Sequence, residues 1–338
     1  MRFRKYIWHL VSIGIILAIV GFSDITEVIK LLGDVDLLLM ALGIIAGLMT
    51  LPVWAFSWFK LLNSLDTSIS YFKSLKMFTA GNFLNSITPI GQFGGEPLMA
   101  YVIQKNSDLD YENAFSAVIS ADIINSIPIL TFMIGGSIYA ATFSSANSLV
   151  TEALYISIML LTVGGGLAYM LWYRFDLIGS AITRFIEKVE HFTGTDRDLA
   201  EITEKKVSRL EDSFHKVGEN PLDLLKTSLV AHTFFIFQIL SLYLVITAVT
   251  SLRPELTPLY FVLPFASVAN FSPTPGGSGT YEALLAGLLT AFVGLSSGEA
   301  VTTAILYRFT TFWPGLVIGY ISLSNLNHVR EDIEKVIS

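Results

Sequence analysis

Six stretches of this chain are apolar and uninterrupted for about the length of a bilayer's hydrocarbon core: 7–22, 37–62, 114–143, 150–173, 225–250 and 300–322. A helix needs about 20 such residues to cross about 30 Å of hydrocarbon. The first stretch is short, and the runs show no period-two alternation, so a membrane β-barrel is excluded. Composition agrees: 53% of the 338 residues are hydrophobic and only 14% are charged, against about 25% in a soluble domain. The basic segment Met1 to Tyr6 precedes an apolar run without a small-residue cleavage site, which reads as a retained span rather than a signal peptide.

Two further stretches, 71–104 and 258–293, are apolar but broken. The first contains Asn82, Asn85, Ser86, Thr88, Pro89, Gly91, Gly94, Gly95 and Glu96; the second contains Asn270, Ser272, Pro273, Thr274, Pro275, Gly276, Gly277, Gly279 and Glu282. Proline and glycine at this density cannot sustain one straight helix. Each stretch reads as two half-helices with an unwound middle, tolerated at membrane depth only where protein buries it or water reaches it.

Basic residues set the orientation. Arg2, Arg4 and Lys5 place the N-terminus in the cytoplasm, and the Lys- and Arg-bearing insert at about 174–225 belongs on the same face. Both hold only if the first broken stretch enters and returns as a re-entrant hairpin. The same walk opens the second hairpin on the opposite face and returns the C-terminus to the cytoplasm. The expected protein is a multi-pass protein of the plasma membrane. Within the insert, Ile178, Ile182, Phe185, Val189 and Phe192, then Val207, Leu210, Phe214 and Val217, recur at helical spacing. They predict two amphipathic helices lying on the membrane surface or against each other.

The two hairpins resemble one another. Ser86-Ile87-Thr88-Pro89-Ile90-Gly91 is followed by four residues and Glu96; Ser272-Pro273-Thr274-Pro275-Gly276-Gly277 is followed by four residues and Glu282. After each Glu, twenty-five residues intervene before another charge inside an apolar span: Asp122 in the first case, Arg308 in the second. Inverted repeats built on discontinuous helices are the construction of secondary transporters. The predicted fold is therefore an all-α polytopic membrane protein, a single transmembrane domain over 1–338 with about six spanning helices plus two re-entrant helical hairpins in an inverted repeat.

Candidate residues follow from that plan. A half-helix N-terminus attracts an anion such as phosphate. Ser86, Thr88, Gly91, Ser272, Thr274 and Gly277 line the expected path. Glu96 and Glu282 either cap their half-helices or couple to protons or to a headgroup amine. Asp122 and Arg308 either neutralise each other or leave Arg308 to bind a lipid phosphate, for which its planar fork is suited. Asn85 and Asn270, with Asn82, flank the turns and can satisfy unwound carbonyls. His232 reads as a packed or interfacial residue, and Trp54, Trp58, Trp172 and Trp313 as interfacial anchors.

Other chemistries find little support. There is no cysteine, hence no disulfide or thiolate metal site. His9, His191, His215, His232 and His328 lack metal-ligand spacing. No Walker A loop is present, Gly276-Gly277-Ser278-Gly279 follows no strand, and no basic stripe points to nucleic acid. No cofactor is expected.

The run from Asn85 to Met99, with its Gly-Gly-Glu-Pro, and the run Ser272-Pro-Thr-Pro-Gly-Gly-Ser-Gly-Thr-Tyr-Glu282 resemble the lysylphosphatidylglycerol synthase transmembrane-region family, also called flippase-like membrane proteins. The resemblance extends from about Lys5 to Leu326. It implies a flippase for aminoacylated phosphatidylglycerol, which in the best-understood members is fused to a cytosolic aminoacyl-transferase domain. This chain stops at Ser338, so that domain and its synthase activity are not carried over. Some stand-alone relatives are linked to glycolipid or polyprenyl-linked sugar pathways.

The first expectation is therefore a lipid flippase or transporter moving an anionic phospholipid, an aminoacylated lipid or a polyprenyl-linked lipid. The expected partners are that lipid, a second copy of the chain, or a lipid-synthesis enzyme in trans. A membrane-embedded transferase or subunit acting on polyprenyl-phosphate sugars is the alternative, and a non-transporting scaffold a third.

Overall fold

The structure is a computed structural model, and it describes residues 25–87, 95–143, 148–193 and 199–326. Every regular element among these residues is helical. The chain is an all-α polytopic membrane protein. A short helix α1 (Ile25–Gly33) leads into α2 (Leu37–Leu48) and α3 (Thr50–Asn63). Asp36 starts α2 by accepting from the N–H groups of Leu38 and Leu39, at 2.9 and 3.1 Å. The first hairpin follows, with α4 (Tyr71–Ile87) and α5 (Glu96–Asn106) as its arms, and then the long α6 (Tyr111–Phe143) and α7 (Ser148–Tyr173). The insert supplies α8 (Phe175–Thr193) and α9 (Leu199–Gly218). The second half runs through α10 (Pro221–Thr250), α11 (Leu256–Ser267), two 3-10 turns (Val268–Phe271 and Pro275–Gly277), α12 (Thr280–Val293) and α13 (Ser297–Ser324).

Four stretches among the described residues are long and apolar enough to cross a membrane: Leu37–Asn63, Tyr111–Tyr139, Leu154–Tyr173 and Pro221–Thr250. They coincide with four of the six expected spans. The run at 7–22 lies outside the described residues. Helix α13, the sixth, has 28 residues, or about 42 Å at 1.5 Å per residue. It falls outside the apolar set because it carries Arg308, several threonines and Pro314 among its apolar residues. Side chains such as Tyr155, Ile158, Met159, Val163 and Leu167 on α7 face outward, the arrangement hydrocarbon favours and water does not.

Two apolar clusters hold the bundle, each drawn mostly from one half of the chain. Trp58, Phe78, Leu84, Ile103, Ala117 and Ile124 join α3 to α6. Phe235, Leu242, Leu259, Leu285 and Ala304 join α10 to α13. Helix α13 then crosses between the halves, packing along α4. That approach is close: a Cβ on Gly319 would run into Thr79 backbone oxygen.

Polar ties fix the two ends. Lys216 of α9 pairs with Asp66 before α4, and Ser213 bonds to Asn113 after α5. The first hairpin therefore begins and ends beside the insert. At the far end of α10, Asp36 N–H donates to Ala248 oxygen at 3.1 Å. Ser296 Oγ, after α12, donates to Glu27 of α1 at 2.8 Å. The insert helices pack on each other, with Phe175 stacked on Phe214, and α9 also packs against α6 and α7.

The tryptophans depart from expectation. Trp58 is 2% exposed, and Trp54 stacks on Phe234 at 4.6 Å. Both are interior groups rather than anchors at a membrane surface. They face neighbouring helices of the bundle rather than lipid headgroups. Trp172 is partly buried and donates to Ser120 at 3.1 Å, whereas Trp313 is exposed.

Candidate functional site

The second hairpin turns on backbone that only glycine adopts easily. Gly276, Gly277 and Gly279 have φ of 56°, 68° and 85°, the region that crowds an L side chain. Hydroxyls brace this turn. Ser272 Oγ lies 2.8 Å from Thr274 Oγ1 and 2.6 Å from Thr280 Oγ1, and Thr280 donates to Gly277 oxygen at 2.8 Å. Ser272, Thr274 and Gly277 thus build the turn.

Glu282 has two tasks. Its Oε2 accepts from Gly279 N–H at 2.7 Å, which closes the N-terminus of α12. Its Oε1 accepts from Arg308 Nε at 3.2 Å, with both side chains under a tenth exposed. Arg308 Nη2 also donates to Gly276 oxygen at 2.6 Å. The guanidinium is clamped by rings, with its carbon 3.8 Å from the Phe312 centroid and 5.0 Å from that of Tyr281. The ion pair of Arg308 is therefore with Glu282 and not with Asp122, because α12 and α13 are adjacent neighbours in the fold.

Arg308 borders a cavity of about 330 Å³ where the halves of the molecule meet. Asn82, Asn85 and Ser86 reach it from the end of α4, and Asn270, Gly276 and Tyr281 from the second hairpin. The two hairpins touch here: a Cβ on Gly276 would lie 3.5 Å from Ser86 oxygen. Asn85, Ser86, Asn270 and Arg308 are thus brought together. Ser272, Thr274, Gly277 and Glu282 stand behind the cavity wall. Thr88 and Gly91 lie outside the described residues.

Glu96 and Asp122 form the corresponding place in the first half. Glu96 is 8% exposed at the start of α5, and Asp122 is half-buried on α6. Asp122 lies near enough to Glu96 for their charges to interact. Neither lines the cavity. Where the second half holds an acid and a base, the first holds two acids.

Several lining groups escaped the sequence reading. Gln238 reaches the cavity from the apolar α10, and Trp54, Phe234 and Phe312 supply aromatic walls. Gln238 was legible as the lone carboxamide in a run of aromatic and branched residues, from Thr233 to Val245. His232 is packed as expected, between Ser228 oxygen at 2.7 Å and Thr131 Oγ1 at 2.9 Å.

The element order recurs in register. Tyr111 and Ser297, which open α6 and α13, are 186 positions apart, as are Asp122 and Arg308, and as are Pro128 and Pro314 within those helices. Proline removes a helix hydrogen bond, so each long helix is weakened at the same point, six residues past its charge. This proline match was also missed from the sequence.

Comparison with known proteins follows the same boundaries. The profile of the lysylphosphatidylglycerol synthase TM region matches residues 9–319. The UPF0104 membrane protein PH1989 of Pyrococcus horikoshii is 24% identical over 327 residues, covering 95% of this chain and 97% of the relative. A UPF0104 membrane protein of Methanothermobacter thermautotrophicus is 22% identical over 331 residues, covering 94% and 92%. The UPF0104 membrane protein MJ1595 of Methanocaldococcus jannaschii is 22% identical over 324 residues, covering 95% and 94%.

Proposed function

This chain belongs to the lysylphosphatidylglycerol synthase TM region family, and we propose on that premise that it moves an anionic lipid across the bilayer, with Arg308 holding the headgroup phosphate. The observation that carries the proposal is a guanidinium 6% exposed at the edge of a cavity shared by two interrupted helical hairpins. Ionisable groups at membrane depth are costly and mark substrate pathways. Arg308 spends Nε on Glu282 and one Nη2 proton on Gly276. Its Nη1 donates to no acceptor among the described residues, which leaves part of the fork for a phosphate.

The two hairpins are the halves of a gate related by an inverted repeat. The ties at Asp66 and Asn113 put the first hairpin's mouth beside the insert, and the ties at Ala248 and Ser296 put the second at the other end. A headgroup between their tips is offered to one face when the first hairpin parts and to the other when the second does, while its tails stay in lipid. Asn85, Ser86, Asn270, Ser272, Thr274 and Gly277 form the tips, Thr88 and Gly91 are assigned to the path from the sequence pattern alone, and Glu96 and Asp122 stand near the first. The basic N-terminal residues favour cytoplasmic termini, and the membrane is the plasma membrane.

The test is side-resolved phospholipid movement in proteoliposomes. Arg308→Ala is expected to abolish movement while the protein stays monodisperse, and Arg308→Lys to retain part of it, since lysine keeps the charge but loses the fork. Undiminished movement with Arg308→Ala contradicts the proposal.

A further inference from the structure

We propose that the cavity is built for a phosphate-bearing lipid whose headgroup is an uncharged polyol, such as a sugar, inositol or glycerol, and is built against headgroups that carry an amine. This rests on the reading of Arg308 above and adds the class of headgroup.

Four carboxamides stand among the apolar, aromatic and hydroxyl groups of the lining. Asn82 and Asn85 come from α4, Gln238 from α10 and Asn270 from the second hairpin. Each offers a carbonyl and two N–H groups, so together they match hydroxyls, which both donate and accept. Two of these carbonyls, Asn85 Oδ1 and Gln238 Oε1, are buried and accept no hydrogen bond among the described residues. Buried polar atoms in native structures normally have partners. Two nearby hydroxyls are engaged elsewhere: Ser86 donates to Asn82 oxygen at 2.8 Å and Ser126 to Asp122 oxygen at 2.7 Å.

Shape and charge agree. Trp54 and Phe234, both in the wall, stack at 4.6 Å with 21° between their planes. Aromatic faces are electron-rich, and the C–H face of a sugar or inositol ring packs on such a surface. Arg308, the one cation in the lining among the described residues, matches one phosphate. No carboxylate lines the cavity among the described residues. The acid nearest to Arg308, Glu282, has one oxygen on Arg308 and the other on Gly279 N–H. An ammonium placed here would meet no lining carboxylate among the described residues, and a buried charge without such a partner is unfavourable.

The experiment offers the purified full chain an equimolar mixture of phosphatidylinositol, phosphatidylglycerol, phosphatidylethanolamine and lysylphosphatidylglycerol in detergent, and reads the retained lipid by native mass spectrometry. The two polyol lipids are expected to be retained about tenfold or more over the amine-bearing two, since a site built for hydroxyls discriminates well beyond tenfold. Gln238→Glu and Asn85→Asp each place a carboxylate in the wall at nearly constant shape, and each is expected to raise retention of the amine-bearing lipids. Equal or preferential retention of lysylphosphatidylglycerol by the wild type overturns the proposal, as does failure of both acidic variants to shift the ratio. The outcome is separable from that of transport. Polyol preference without side-to-side movement leaves the headgroup class standing and removes the transport reading; movement without headgroup discrimination does the reverse.

Discussion

Glu282 and Arg308 form a buried ion pair, Oε1 to Nε at 3.2 Å, in which the acid also closes the N-terminus of the helix behind the hairpin turn. One carboxylate thereby couples the turn, the following half-helix and the charged residue of α13. On the proposed function, a substrate phosphate that competes for Arg308 would act on all three.

Removing one partner of a buried pair leaves a lone charge, at a cost of about 3–5 kcal/mol. Glu282→Gln and Arg308→Met are each expected to lower stability by that order. The double variant is expected to lose less than the sum of the singles, with a coupling of about 0.5–3 kcal/mol. Thermal unfolding in detergent measures this, and strictly additive losses would argue that the pair is not formed.

The turn and the helix that follows it should respond oppositely to the same substitution. Gly277 has φ of 68° and a Cβ there would lie 3.1 Å from Ala269 oxygen. Gly277→Ala is expected to destabilise by about 1–2 kcal/mol. At Gly287, within α12, an added Cβ would meet nothing within 4 Å. Gly287→Ala is expected to stabilise by about 0.5–1 kcal/mol. Paired melting curves decide it; a neutral Gly277→Ala would mean that the turn is not held as described.

The proposed inverted arrangement of the hairpin mouths predicts a labelling pattern. The chain has 0 cysteines, so single replacements have no background. Asp108→Cys, at the mouth of the first hairpin, should react with an impermeant thiol reagent from the face that carries the insert. Arg253→Cys and Ser297→Cys, flanking the second, should react from the other. Labelling of all three from one face would remove the inverted arrangement.

What the sequence made legible, and what it did not, follows from range. The spans at 37–62 and 225–250 and the interruption at Gly276 are local properties, carried by runs of apolar residues or by Pro and Gly. The shared spacing of Asp122 and Arg308 is a one-dimensional pattern and was readable as such. The partner of Arg308 was not, because register alone pairs equivalent positions, whereas packing of α12 on α13 brings Glu282 to it. Trp54 and Trp58 look like span-end anchors in the sequence, whereas packing against other segments buries Trp58 and stacks Trp54 on Phe234. Gln238 gains its meaning only from the asparagines of distant segments that share its cavity.

The central claim is that a headgroup passes between hairpin tips that must part. It is tested most directly by tying the tips together: Ser86→Cys with Pro275→Cys, beside the contact between Gly276 and Ser86, bridged by a short reducible bifunctional thiol reagent. Lipid movement in proteoliposomes should stop on bridging and return on reduction. Movement at the unbridged rate with the bridge complete would contradict the account.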